Sequence, residues 1–183
     1  FGFYCVMGPD EFQMMVNHNT YTNYMAKRTF EFTLEAVRLL PESLVSETME
    51  KVGVTKAFLE EIRLAAEKMI LLYDASSGLF EQHEGFFKLP HIDVDRILVS
   101  DFPLYDHWSY DRIYRNDMIK QPDVLMFLFL YNSSFDAREK AANYHYYEPR
   151  CIHESSLSPS IHSILASEIG EKEDALRFFG FAT

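Results

Sequence analysis

With 183 residues, 48% of them hydrophobic and 25% charged, the chain has the size of one domain and can bury a core, so its composition excludes wholesale disorder. A formal net charge of −11 argues against a nucleic-acid or anionic-membrane surface, and any anionic ligand has to be met by a local cluster of donors. There is no signal peptide and no apolar run of membrane length, and Cys5 and Cys151 stand in no metal-like spacing, which suits reduced, buried thiols of a cytoplasmic protein.

The opening stretch, FGFYCVMGPDEF, starts inside what reads as structured sequence, as a fragment would. Its Gly-Pro-Asp-Glu step has the make-up of a helix start, with proline early and acids in the first turn. From Ala26 to Leu40, Ala26, Phe30, Leu34 and Val37 share one helical face, and Pro41 ends that helix. A second helix is expected from Lys56 to Tyr73, with Phe58, Ile62, Ala66, Met69 and Tyr73 on its inner stripe, before Ser76-Ser77-Gly78 breaks the chain. Residues 79–118 keep no period and carry scattered aromatics, the character of a functional loop.

A third helix is expected from Gln121 through VLMFLFLY, apolar on all sides and therefore buried all round. A fourth spans Asp136 to Tyr147. A fifth has Ser158 as N-cap, Pro159 in its first turn and Gly170 after its end; a sixth covers Lys172 to Phe179. No strand pattern and no short repeat stands out. The chain reads as all-α, and amphipathic helices alternating with wholly apolar ones suggest two concentric layers.

Four blocks narrow the reading: VMGPDEFQMMVNHNTYTNYMAKRT at 6–29, EQHEGFF at 81–87, FPLYDHWSYDRIYRNDMIKQPDVLMFLFLY at 102–131 and YHYYEPRCIHESSLSPSIHSILASEIG at 144–170. Together they resemble the inverting disaccharide phosphorylases of glycoside hydrolase family 65. FQMMVN and KQPDV look more like members acting on maltose than those acting on trehalose or kojibiose. The resemblance implies about half of an (α/α)6 barrel over residues 1–183. The family's N-terminal β-sandwich, helical linker, remaining barrel and C-terminal β domain would then lie outside these residues. It also implies that the parent enzyme converts maltose and inorganic phosphate into glucose and β-glucose 1-phosphate, without metal or other cofactor, as a homo-oligomer.

Phosphorolysis needs a proton for the leaving glucose oxygen and a nucleophile on the opposite face of the sugar. Phosphate is nucleophilic as it stands, so the base that an inverting hydrolase uses to activate water is not required. One catalytic carboxylic acid and a nest of phosphate donors are therefore expected. The resemblance places the acid at Glu11 in GPDEF, although a helix start there would favour the ionised form. It places sugar-hydroxyl contacts at Lys120 and Gln121, and phosphate at His153, Ser155 and Ser156, beside the helix that follows. Another phosphate-binding histidine of the family would lie beyond Thr183, leaving the nest incomplete, and the isolated chain is expected to be inactive because the missing helices should carry the rest of the glucose-binding subsite. Two rivals are a hydrolase of the same fold, with a second carboxylate facing Glu11, and a non-catalytic half-barrel that self-associates.

Overall fold

The first long helix begins where the sequence stops offering turns. In the computed structural model, which describes residues 1–183, α1 (Thr20–Leu39) is capped by Asn19, whose Oδ1 accepts the Thr22 N–H at 2.9 Å. Helix α1 therefore begins six residues before the expected apolar stripe, because polar Asn23 and Thr20 are themselves buried at its start. A second helix, α2 (Glu42–Val52), follows Pro41 directly and ends on Gly53, whose φ of 70° is open to glycine without strain. The sequence reading passed over α2, which buries no residue and so lacks a strong inward stripe.

Helix α3 (Lys56–Glu67) stops six residues short of Tyr73. The apolar positions beyond it lead instead into a two-residue hairpin, β1 (Tyr73–Asp74) against β2 (Leu79–Phe80), with Tyr73 opposite Phe80. Asp74 gathers the Ser76 and Ser77 hydroxyls at 2.8 and 2.6 Å, which fixes this turn locally. The expected long loop contains three 3-10 turns and two short helices, α4 (Leu104–His107) and α5 (Tyr110–Tyr114). It keeps its own core: Phe12, Leu104, Trp108, Ile113, Met118 and Ile152 form a separate apolar cluster.

The remaining helices build the main core. They are α6 (Val124–Leu130), α7 (Ala137–Tyr147), α8 (Ser158–Ile169) and α9 (Lys172–Ala182). Helix α6 starts three residues later than expected and buries Val124, Leu125, Phe127 and Leu128, while Leu130 reaches solvent. Tyr24 of α1 stacks on Phe127 with ring centroids 5.0 Å apart, and Phe80 meets Phe127 edge-on at 5.1 Å. Helix α6 thereby sits between α1 on one side and α7 and α8 on the other, and α9 packs on α8. Ser158 is the first residue of α8 rather than its N-cap; its hydroxyl turns back to the Ser155 carbonyl at 3.1 Å. Two backbone bridges tie the loops across the helix ends: Val6 with Val16, and Ile119 with Cys151.

Candidate active site

Three segments distant in sequence meet at Glu11. The Gly-Pro-Asp-Glu step forms a turn rather than a helix start, so no helix dipole acts on the carboxylate. Its neighbours fix it from both sides. Phe12 is fully buried in the smaller core cluster, with Tyr105 edge-on at 5.5 Å. Asp10 is fully buried too: Oδ1 accepts the Phe12 N–H at 3.1 Å and the Lys120 N–H at 2.9 Å, while Oδ2 accepts Gln82 Nε2 at 2.9 Å. Between these anchors the Glu11 side chain remains 48% exposed.

Lys120 Nζ at 2.7 Å and Gln121 Nε2 at 2.9 Å both donate to Glu11 Oε2, and the Glu11 N–H donates to Gln121 Oε1 at 3.1 Å. The predicted acid and the predicted Lys–Gln pair are thus one hydrogen-bonded group, although 109 residues separate Glu11 from Lys120. The Lys120 hydrogen bond, followed by that of Gln121, holds the Glu11 carboxyl below the usual carboxylate range, and slight burial opposes them. The direction matches the sequence expectation, but the cause is a neighbouring ammonium instead of a helix end. Lys120 also lies 5.0 Å from the Tyr105 ring and lines an open cleft of about 380 Å³ with Phe102, Pro103, Tyr105 and Glu154. A carboxylate, an ammonium and an amide joined by hydrogen bonds, with the ammonium and an aromatic ring lining an open cleft, are groups that can bind sugar hydroxyls and pass a proton.

Behind the exposed triad lies a buried polar layer built from Asp10, Gln13, Asn19, Gln82, His83 and Asp123. Burial pushes the Asp10 carboxyl up to about 6, against the lowering effect of its hydrogen bonds from Lys120, Gln82 and Phe12. Asp123 is pushed up to about 8 by burial, with the charge of Asp10 adding to it. Asn19 Nδ2 donates to Asp123 Oδ2 at 3.0 Å, while Asp123 Oδ1 and Gln82 Oε1 are buried without a partner. Gln13 Nε2 spans to the carbonyls of Asn116 and Met118 at 2.9 and 3.2 Å, and His83 Nε2 lies 3.0 Å from Gln13 Oε1. The only local signal for this layer was a density of Asn, Gln and Asp beside aromatic residues.

The expected phosphate residues sit in the turn before α8. Ser156 is exposed, and Ser155 Oγ accepts the Leu157 N–H at 3.3 Å. His153 has φ 53°, its Nδ1 lies 3.1 Å from Ser158 Oγ, and its Nε2 is buried without a partner. Burial depresses its pKa to about 3, so His153 is neutral at physiological pH and brings no positive charge to an anion. Arg150 pairs with Asp117 at 2.8 Å, not with Glu148 or Glu154; Glu148 pairs with Arg177 at 2.9 Å. Trp108 is buried, donates to Asp101 at 3.0 Å and carries the Arg112 guanidinium on its face, so that face is occupied. Of the two thiols, Cys151 is buried as expected, whereas Cys5 is exposed.

A mainly helical domain in which Glu11, Lys120 and Gln121 form one hydrogen-bonded group beside an open cleft has the make-up of the catalytic part of a carbohydrate-active enzyme. Residues 2–183 match the glycosyl hydrolase family 65 central catalytic domain, and the chain belongs to that family. Its nine α-helices are part of the family's (α/α)6 barrel. It is 40% identical over 96% of its length to the alpha,alpha-trehalose phosphorylase of Thermoanaerobacter brockii, and 38% identical over 95% to the maltose phosphorylase of Bacillus subtilis. A solved structure from the human microbiome, provisionally named a kojibiose phosphorylase, is 56% identical over 99% of this chain, with a TM-score of 0.94. The chain spans about a quarter of each relative: 23% and 22% of the two enzymes and 25% of the solved structure. No helix is long and apolar enough to cross a membrane.

Proposed function

We propose that the protein catalyses inverting phosphorolysis of an α-glucosyl disaccharide, with Glu11 as the general acid. The observation that carries this reading is the hydrogen-bonded group of Glu11, Lys120 and Gln121, whose Lys120 lines an open cleft, within a family 65 catalytic domain. Glu11 protonates the departing glycosidic oxygen. Lys120 and Gln121 fix sugar hydroxyls, and the hydroxyls of Ser155 and Ser156, with His153 beneath them, receive the phosphate that attacks from the opposite face. No cofactor enters this scheme; phosphate is a co-substrate. In the open site Glu11 is ionised at neutral pH, the wrong state for an acid. Sugar that covers Glu11 and draws Lys120 onto its own hydroxyls removes the largest cause of that ionisation.

The substrate proposed from the FQMMVN and KQPDV stretches is maltose. A second reading, kojibiose, is favoured by the 56% identity to the solved structure provisionally named for that sugar. The test is glucose release by the whole protein from maltose, kojibiose, trehalose and nigerose, with and without phosphate, and the anomer of the sugar phosphate read by NMR. Phosphate-dependent release with a β-phosphate product is expected. Equal release without phosphate supports the hydrolase of the same fold instead, and an α-phosphate product contradicts inversion.

A further inference from the structure

We propose that Cys151, His153 and His162 form a binding site for one divalent cation of the zinc class. The three side chains each place one donor atom within 4.8 Å of the others, at the junction of the Ile119–Cys151 bridge and the start of α8. Their spacing in sequence, one residue and then eight, follows no familiar ligand pattern, so only the fold brings them together. A tetrahedral zinc site with nitrogen and sulfur ligands sets its donors about 3.5 Å apart, so binding requires the three side chains to close in on the ion.

Three features suit a cation here. First, Ser158 orients both rings: its Oγ lies 3.1 Å from His153 Nδ1, and its carbonyl 2.8 Å from His162 Nδ1. A serine hydroxyl and a backbone carbonyl are partners of the kind that hold ligating imidazoles in place. Second, His162 is fully buried, and the Nε2 atoms of both rings are buried with no partner. Third, His153 is held at φ 53°, a left-handed conformation that a residue other than glycine adopts at strain, as is common where side chains are aimed for function.

Binding forms a metal–sulfur bond, breaks the Cys151 S–H bond and releases one proton to solvent, so affinity rises with pH. Three protein ligands leave a fourth position for water or an anion. The bound cation would brace the Lys120 strand, because Cys151 Sγ lies 3.7 Å from the Lys120 carbonyl.

The test is a cobalt titration of the metal-free, reduced whole protein, paired with X-ray absorption of the zinc-loaded unmodified protein. Tetrahedral cobalt absorption with a thiolate charge-transfer band, saturating at one equivalent, is expected. The zinc spectrum should show one sulfur and at least two nitrogen neighbours. Cys151→Ser should remove the charge-transfer band and weaken cobalt binding by on the order of tenfold or more; Cys5→Ser, which changes the exposed thiol, should leave both intact. The X-ray absorption needs no variant and decides even if Cys151→Ser misfolds. Absence of saturable binding, a zinc shell without sulfur, or loss of the band in Cys5→Ser overturns the proposal.

Discussion

At Glu11 a single lysine decides the charge state of the proposed acid. Replacing Lys120 by methionine removes the ammonium and the largest lowering cause, so the Glu11 pKa is expected to move upward when titrated by carboxyl NMR; an unchanged value would mean that Lys120 does not act on it. Asp10 positions this group from behind, binding the Lys120 N–H and the Phe12 N–H through one oxygen. Gly8 leaves room for that layer. A Cβ there would come within 2.2 Å of Asp123 Oδ2 and 2.6 Å of Asn19 Nδ2, both held by their mutual hydrogen bond. Gly8→Ala is therefore expected to cost about 1–3 kcal/mol in denaturant unfolding. The buried acids also give a pH signature. A carboxyl raised in the folded state stabilises most when protonated in both states, and that stability is lost as pH rises through the folded pKa values, about 6 for Asp10 and about 8 for Asp123. Asp123→Asn should raise the melting temperature more at pH 8 than at pH 5, as thermal scans at the two pH values can show; an equal shift at both would contradict the protonated carboxyl.

Among the elements, those with punctuation at both ends were the most legible. Asp136 and Glu139 form a reciprocal capping box at 2.8 and 3.2 Å, and α7 runs from the next residue to Tyr147, as its sequence predicted. Asp136→Ala should cost roughly 1 kcal/mol of stability in urea unfolding, with little change in activity. Gly170, at φ 90°, ends α8 where its position suggested. Punctuation alone did not suffice. Helix α2 has no buried face to advertise it, and α3 stops at Glu67 because the apolar residues after it serve a hairpin. The meeting of Glu11 with Lys120 and Gln121 was legible only as family resemblance, since no local period joins residues so far apart. The buried Asp10–Gln82–Asp123 layer was illegible for a related reason: polar residues read as surface until long-range contacts enclose them.

Across the whole molecule the apolar surface is divided. Helices α6 to α8 enclose a dense core, whereas α1, α2 and α3 leave a cavity of about 280 Å³ lined by Phe32, Val37, Leu40, Met49 and Leu59 among others. Phe32 is 71% exposed and Val52 62%. Such a face suits packing against further protein, and these 183 residues expressed alone are expected to bind a hydrophobic dye and to elute above monomer mass; a dye-silent monomer would contradict that. The cavity lacks the charged groups of the Lys120 cleft and is no rival to it as a sugar site. Glu11 is the proposed proton donor to the leaving oxygen, and the most direct measurement compares Glu11→Gln with the unmodified whole protein on two glucosyl donors. With the disaccharide, whose leaving group needs a proton, phosphorolysis should fall by about 100-fold or more. With α-glucosyl fluoride, whose leaving group needs little help, most of the rate should survive. Equal losses on both donors, or near-normal turnover of the disaccharide, would contradict the assignment.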